Sequence, residues 1–220
     1  MRFFAGIGGL LCGMIACASA RETEACLFAE TPIATRTFAD CKLDPLGLAK
    51  LEPISVAISA LRLQIRDIEF VGCPKALFAT GHPSKYRIFY PSTAPKSLEE
   101  YVPPLIHELG HVYQLSHFGS TRAALTERYK LIQIELGADY LAGFIAGRYL
   151  DNSEMGEFAA SLRISGLYRE SSSEAHGTPT QRTAAFRFGY FASAGHNSGS
   201  IDAAYMDFDD DHIRFLIAHP

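Results

Sequence analysis

The sequence predicts an α+β fold, with a small N-terminal sheet followed by a mainly helical C-terminal half. Three observations carry this. Short β-type runs, Ile68–Val71, Leu77–Thr80 and Tyr86–Tyr90, cluster in the first half of the chain. Apolar residues recur at helical spacing from Leu105 onward. Strand patterns come before helix patterns instead of alternating with them, which separates α+β from α/β. The composition is globular, with 48% hydrophobic and 20% charged residues among 220. A chain of this length buries a substantial core without help from cross-links. Its formal net charge of −4 offers no basic footprint, which argues against nucleic acid as a partner.

The first twenty residues have the layout of a secretory signal. Arg2 is a minimal positive region, Phe3 to Cys17 is apolar, and Ala18-Ser19-Ala20 forms a small-residue cleavage site. Residues 1–20 are therefore expected to be a signal peptide and 21–220 one domain, exported to the periplasm or secreted. The apolar run is short for a membrane span. Met14-Ile15-Ala16-Cys17 loosely resembles a lipobox, so a lipid anchor at Cys17 is a variant, and an uncleaved anchor is another route to a membrane. Beyond residue 20 only Cys26, Cys41 and Cys73 remain, enough for one disulfide. Cys26–Cys41 is the expected pair, since it would staple the irregular N-terminal stretch, and Cys73 reads as a buried thiol. The cysteine spacing fits no zinc finger or zinc ribbon.

Taken in order, residues 21–45 look irregular. Leu46 to Asp67 carries a helical pattern, with Pro53 placed to start the main helix. The three strands follow, the last two joined through Gly81-His82-Pro83-Ser84. Ser97 with Glu99 and Glu100 suggests a helix start, and Pro103-Pro104 either opens the next helix or kinks a longer one. Helices are then expected from Leu105 to about Ser116, Arg122 to Leu150, Ser153 to Tyr168, Thr178 to Ala194 and Ser200 to Ala218.

The most informative segment is His107-Glu108-Leu109-Gly110-His111. Residues four apart on an α-helix share a face, so both imidazoles can point at one ion. Neutral imidazole is a good zinc ligand, and Glu108 lies beside that face as a general base. Gly110 is costly in a helix interior, which suggests close approach by a neighbour. A catalytic zinc needs three protein ligands. Glu135 is the expected third, brought back beside the histidines by a helical hairpin. Asp139, four residues on, shares its face and is placed to accept the N–H of a ligating histidine. Small residues Gly137, Ala138, Ala142 and Gly143 would let the two helices pack closely. His117 is the rival ligand, ten residues after His107. On a continuing helix it sits about 9 Å further along the axis than His111 and off its face.

With these residues in view, His107-Glu108-Leu109-Gly110-His111 followed by Glu135-Leu136-Gly137-Ala138-Asp139 resembles the gluzincin branch of the zincin metallopeptidases. More closely, the chain is similar to the bacterial neutral zinc metallopeptidases, which carry the same Glu-Leu-x-Ala-Asp pattern. The stretch His176-Gly177-Thr178-Pro179-Thr180-Gln181-Arg182 shares their His-Gly step followed by Arg. The resemblance covers roughly residues 97–195. It implies a zincin-like fold with one zinc ion on His107, His111 and Glu135. It makes Glu108 the base and has Asp139 orient a ligating histidine, His107 being the expected one. The substrate it implies is a peptide or protein.

His176, at a helix start, is the expected donor to the oxyanion, with Arg182 as a weaker candidate; the alternative is a helix cap and an ion pair with an acidic neighbour. The strand Tyr86–Tyr90 is a candidate edge for an extended peptide. His82, His196, His212 and His219 lack ligand-like spacing, and the acidic run Asp207–Asp211 has no calcium-loop spacing. The functional expectation is zinc-dependent peptide-bond hydrolysis outside the cytoplasm. A non-catalytic envelope protein that keeps the scaffold for binding or assembly is the alternative.

Overall fold

A computed structural model describes residues 40–44, 47–73, 78–82, 85–92, 102–119, 122–148, 177–194 and 200–219. The segment read as a signal peptide, Cys17, Cys26, His176 and the helix expected at 153–168 lie outside the described residues. The α+β expectation holds: a small sheet precedes a set of packed helices.

The sheet has four strands in the order β1-β2-β4-β3, with β1 Lys42–Leu43, β2 Ile68–Cys73, β3 Phe78–His82 and β4 Lys85–Pro91. β2 and β4 run parallel, and β1 and β3 pair antiparallel on their outer sides. The period-two alternation of strands divides β2 between two apolar clusters. Ile68 and Phe70 join Ile88 and Tyr90 of β4 in the main core, while Val71 and Cys73 pack with Phe89 on the other face. β4 is therefore an interior strand, paired on both sides. The expectation that Tyr86–Tyr90 forms a peptide-binding edge is wrong, because its backbone groups are already used.

The disulfide also departs from expectation. Cys41 bonds to Cys73, with Cα atoms 4.4 Å apart, not to Cys26. The register explains this. Lys42 pairs with Gly72 in an antiparallel ladder, so the preceding Cys41 falls opposite the following Cys73. Local sequence spacing carries no sign of that cross-strand pairing.

Helix α1, Glu52–Ala60, carries Pro53 in its first turn, one residue after its start, and turns Ile54, Ala57 and Ile58 inward. Helix α2, Val102–Phe118, holds Pro103 and Pro104 in its first turn, where missing N–H groups cost nothing. Every residue from Pro103 to Leu115 is buried, because the sheet, α1 and the later helices surround this helix. The long helix expected from Arg122 is two helices, α3 Arg122–Arg128 and α4 Leu131–Ala146. Neither Gly nor Pro marks the break. Lys130 is extended at ψ 151°, and its N–H donates to Gln133 Oε1 at 2.9 Å, which starts a new helix.

Helix α5, Pro179–Ala194, opens on a reciprocal cap. Gln181 N–H donates to Thr178 Oγ1 at 3.2 Å, and Thr178 N–H to Gln181 Oε1 at 2.8 Å. Gly177, at φ 82°, turns the chain into it. The last helical run is α6 Ile201–Asp207, a π-turn over Phe208–His212, and α7 Ile213–Ala218.

α4 is the central helix, with α2 against one face and α5 against another. Both crossings are close. A Cβ at Gly110 of α2 would sit 3.0 Å from the Ala138 carbonyl oxygen, so the neighbour anticipated at that glycine is the α4 backbone. Gly143 faces α5, not α2 as expected. A Cβ there would overlap the Phe186 carbonyl, and one at Gly189 would overlap the Tyr140 carbonyl. Gly143→Ala is therefore expected to cost about 3 kcal/mol or more, since backbone cannot yield as a side chain can. Urea unfolding reads this directly, and a loss under about 1 kcal/mol would show that the α4–α5 crossing is looser than described.

Candidate metal centre

The helix geometry that positions the site is simple. His107 and His111 lie one turn apart on α2, and Glu135 and Asp139 one turn apart on α4. The Gly110–Ala138 contact brings these two turns together. His107 Nε2 is 3.5 Å from Glu135 Oε2, and His111 Nε2 is 3.7 Å from Glu135 Oε1. The rings meet edge-on with centroids 4.7 Å apart. One ligand atom from each of the three residues lies within 4.8 Å of the others. Ligands about 2.0–2.1 Å from a tetrahedral ion are about 3.4 Å from one another, so these separations suit a single cation.

Electrostatics point the same way. His107, Glu108, His111, Glu135, Asp139 and Arg182 are all fully buried. Arg182, one turn inside the capped start of α5, grips Asp139 with two bonds, Nε to Oδ2 at 2.7 Å and Nη2 to Oδ1 at 2.9 Å. Asp139 Oδ1 also takes the His107 Nδ1 proton at 2.8 Å. A carboxylate held by Arg only accepts, so His107 carries a proton on Nδ1 and turns Nε2 toward Glu135. Arg182 Nη2 stands beside this pair, 3.5 Å from His107 Nε2 and 3.6 Å from Glu135 Oε2. Three buried carboxyl groups, Glu108, Glu135 and Asp139, stand against one buried guanidinium, Arg182, among the described residues, and a cation at the cluster would offset that excess of acid.

Burial pushes the His111 imidazolium down to about 4; Glu135 opposes this, and the neighbouring His107 adds to it. The ring is thus neutral and able to coordinate at neutral pH. Burial would raise the Asp139 carboxyl, but Arg182 and His107 outweigh it and hold it below its ordinary value.

The structure therefore joins His107, His111 and Glu135, with Glu108 buried on the same turn and Asp139 on His107 as expected. Arg182 is an ion-pair partner of Asp139, which matches the alternative of pairing with an acidic neighbour. His117 stands outside the cluster. Its ring stacks on Tyr113, and its Nδ1 lies 2.9 Å from the Tyr113 carbonyl. His212 stacks on Phe188, and His219 lies against the Phe215 carbonyl. Gln114 and Tyr205 went unrecognised in the sequence. Gln114 Oε1 is 2.9 Å from His111 Nδ1, and Gln114 Nε2 is 2.9 Å from the Tyr205 hydroxyl. A buried Gln three residues after a ligating histidine, on its face, was the available signal for the first. Nothing in the sequence marks the second.

The chain matches no family model, no curated protein and no solved structure.

Two outcomes follow from the electrostatics. Arg182→Met leaves Asp139 buried without its guanidinium, and unfolding experiments should show a loss of about 3–5 kcal/mol. A loss under 1 kcal/mol would mean the pair is not buried as described. The second concerns pH. His111 is depressed in the fold, so its neutral state favours folding equally at all pH above about 6.5. Between there and about 4 the unfolded chain takes up a proton that the fold refuses. The metal-stripped protein should lose on the order of 3 kcal/mol over that window, and His111→Gln should flatten the slope. Asp139 acts lower, below its ordinary carboxylate range, where protonation releases Arg182.

Proposed function

We propose that this chain is a zinc-dependent peptidase of the gluzincin type, akin to the neutral zinc metallopeptidases, acting outside the cytoplasm. The observation that supports it most is the approach of both Nε2 atoms to one carboxylate, 3.5 and 3.7 Å, on a His-Glu-x-x-His helix. Two imidazoles and one carboxylate form a donor set suited to zinc and leave a coordination position over. Export is supported by the signal-like N-terminus and by a disulfide, which persists in oxidising compartments. Among the described residues no helix is long and apolar enough to cross a membrane.

Zinc, when bound, polarises a substrate carbonyl and makes water a nucleophile at neutral pH. The protein's own residues do the rest. His107, His111 and Glu135 hold the ion, while Asp139 and Arg182 fix the His107 ring. Glu108 accepts the proton from the attacking water and delivers it to the leaving amine. His176 serves as donor to the carbonyl oxygen. The strand offered to an extended peptide is β3, at the sheet edge, antiparallel to β4 and packed near α2.

Complete burial of all four motif side chains favours a second reading, a closed metal site that braces the α2–α4 crossing in a non-catalytic envelope protein. Glu108→Gln separates the two. Under the peptidase reading it keeps stoichiometric zinc and cuts hydrolysis of an unfolded protein substrate at least about 100-fold. Glu135→Ala should lose the metal itself. Equal cleavage by wild type and Glu108→Gln removes the assigned base. Tight zinc with no cleavage by either transfers support to the bracing role.

A further inference from the structure

We propose that Gln114 is a positioning residue that locks His111 in its Nδ1–H tautomer, and that the Ile134 carbonyl and Tyr205 hold Gln114 in the orientation this requires. The functional meaning rests on the reading of His107, His111 and Glu135 as metal ligands. The tautomer itself belongs to the chain with or without an ion.

A neutral imidazole has two tautomers, and the partner of one nitrogen decides which is present. Gln114 is 1% exposed, and its amide is fixed by what it touches. One end lies 2.8 Å from the Ile134 carbonyl oxygen, which can only accept, so that end is the NH2 group. Its second hydrogen points to the Tyr205 hydroxyl at 2.9 Å. The amide oxygen is therefore the end that faces His111 Nδ1 at 2.9 Å, and it accepts. The His111 proton stands on Nδ1, and the Nε2 lone pair faces Glu135.

α4 leaves space for this relay. A Cβ at Gly137 would overlap both the Tyr205 hydroxyl and Gln114 Nε2. The glycine between Leu136 and Ala138 is the gap through which α6 reaches the imidazole. Ile134 directly precedes Glu135, so the backbone that carries the acid ligand also orients the histidine opposite it. The two histidines reach one tautomer by different chemistry, His107 through a carboxylate and His111 through an amide. That difference has a reason. Glu108, Glu135 and Asp139 already share one buried guanidinium among the described residues, Arg182, and a fourth carboxylate would deepen the charge. A neutral amide accepts the same proton without adding charge.

The test uses metal-free protein labelled with 15N-histidine, in which ring nitrogen shifts report the tautomer. Wild-type His111 should be Nδ1–H. Gln114→Leu removes the acceptor and should shift the ring to a mixture rich in Nε2–H. Gln114→Glu, with its buried carboxyl protonated so that the O–H donates to the Ile134 carbonyl, keeps an accepting oxygen beside Nδ1 and should return the Nδ1–H signature, which a mere packing role would not do. Tyr205→Phe keeps Gln114 but frees one of its anchors, and a smaller rise in Nε2–H is expected; it carries the test if Gln114→Leu does not fold. Titration with Zn2+ alone should show affinity 10–100-fold weaker, roughly, in Gln114→Leu. A wild-type His111 in the Nε2–H form, or variants whose tautomer stays as in wild type, overturns the proposal. If the tautomer shifts as expected but no protein binds Zn2+, the relay stands and the metal reading falls.

Discussion

The ion pair between Arg182 and Asp139 is the constraint on which the rest of the centre depends. Arg182 is the largest fully buried side chain described, and a guanidinium in a dry helical core costs several kcal/mol unless it is paired with good geometry. Asp139 supplies that geometry with two short bonds. In doing so it becomes a fixed acceptor, and its Oδ1 orients His107. The sequence of cause runs from the Thr178–Gln181 cap, which starts α5, to Arg182, Asp139, His107 and finally Glu135. The Arg182–Asp139 and Asp139–His107 steps are short bonds whose loss would leave a buried polar group to find another partner.

Two close helix crossings make these contacts reachable. A glutamate side chain is short against the usual 8–10 Å between helix axes, so Glu135 meets both imidazoles only where backbones approach. Gly110 against Ala138 provides that approach between α2 and α4, and Gly143 with Gly189 provides it between α4 and α5. The glycines weaken each helix locally by about 1 kcal/mol relative to alanine. The offset comes from the packing of surrounding apolar side chains such as Leu109, Leu136 and Phe186, all fully buried.

What could be seen in the sequence follows the range of the physics. Helical periodicity is local, so the turn carrying His107 and His111, and the turn carrying Glu135 and Asp139, were both legible, as was Pro53 at the start of α1. The pairing of Asp139 with His107 came from the family resemblance. The Cys41–Cys73 bond was not legible, because it depends on a ladder between segments some thirty residues apart. The interior place of β4 was hidden for the same reason, since strand order is a property of the sheet and not of any strand. The break between α3 and α4 has no Gly or Pro to announce it, only a Gln133 side chain that competes for the Lys130 N–H. Tyr205 was invisible because its role arises entirely from tertiary packing.

The C-terminal run belongs to the centre although it carries none of the motif. Tyr205 anchors Gln114, the Tyr140 hydroxyl donates to the Ala204 carbonyl at 2.9 Å, and Gln181 Nε2 donates to the Leu216 carbonyl at 2.7 Å. Asp202 takes the Tyr113 hydroxyl proton at 2.7 Å and pairs with Arg62 at 3.1 Å. These bonds reach α2, α4 and α5 at once, and the buried ones satisfy polar groups that would otherwise be left in a poorly solvated place. The exposed Arg62 pair adds little, whereas the buried Gln114 and Gln181 contacts carry the cost of desolvation if broken. Residues 200–219 thus close the polar side of a bundle whose apolar side is closed by the sheet and α1. Orientation of the two imidazoles is then shared between elements far apart in the chain, His107 through α4 and α5 and His111 through Gln114 and Tyr205 of α6.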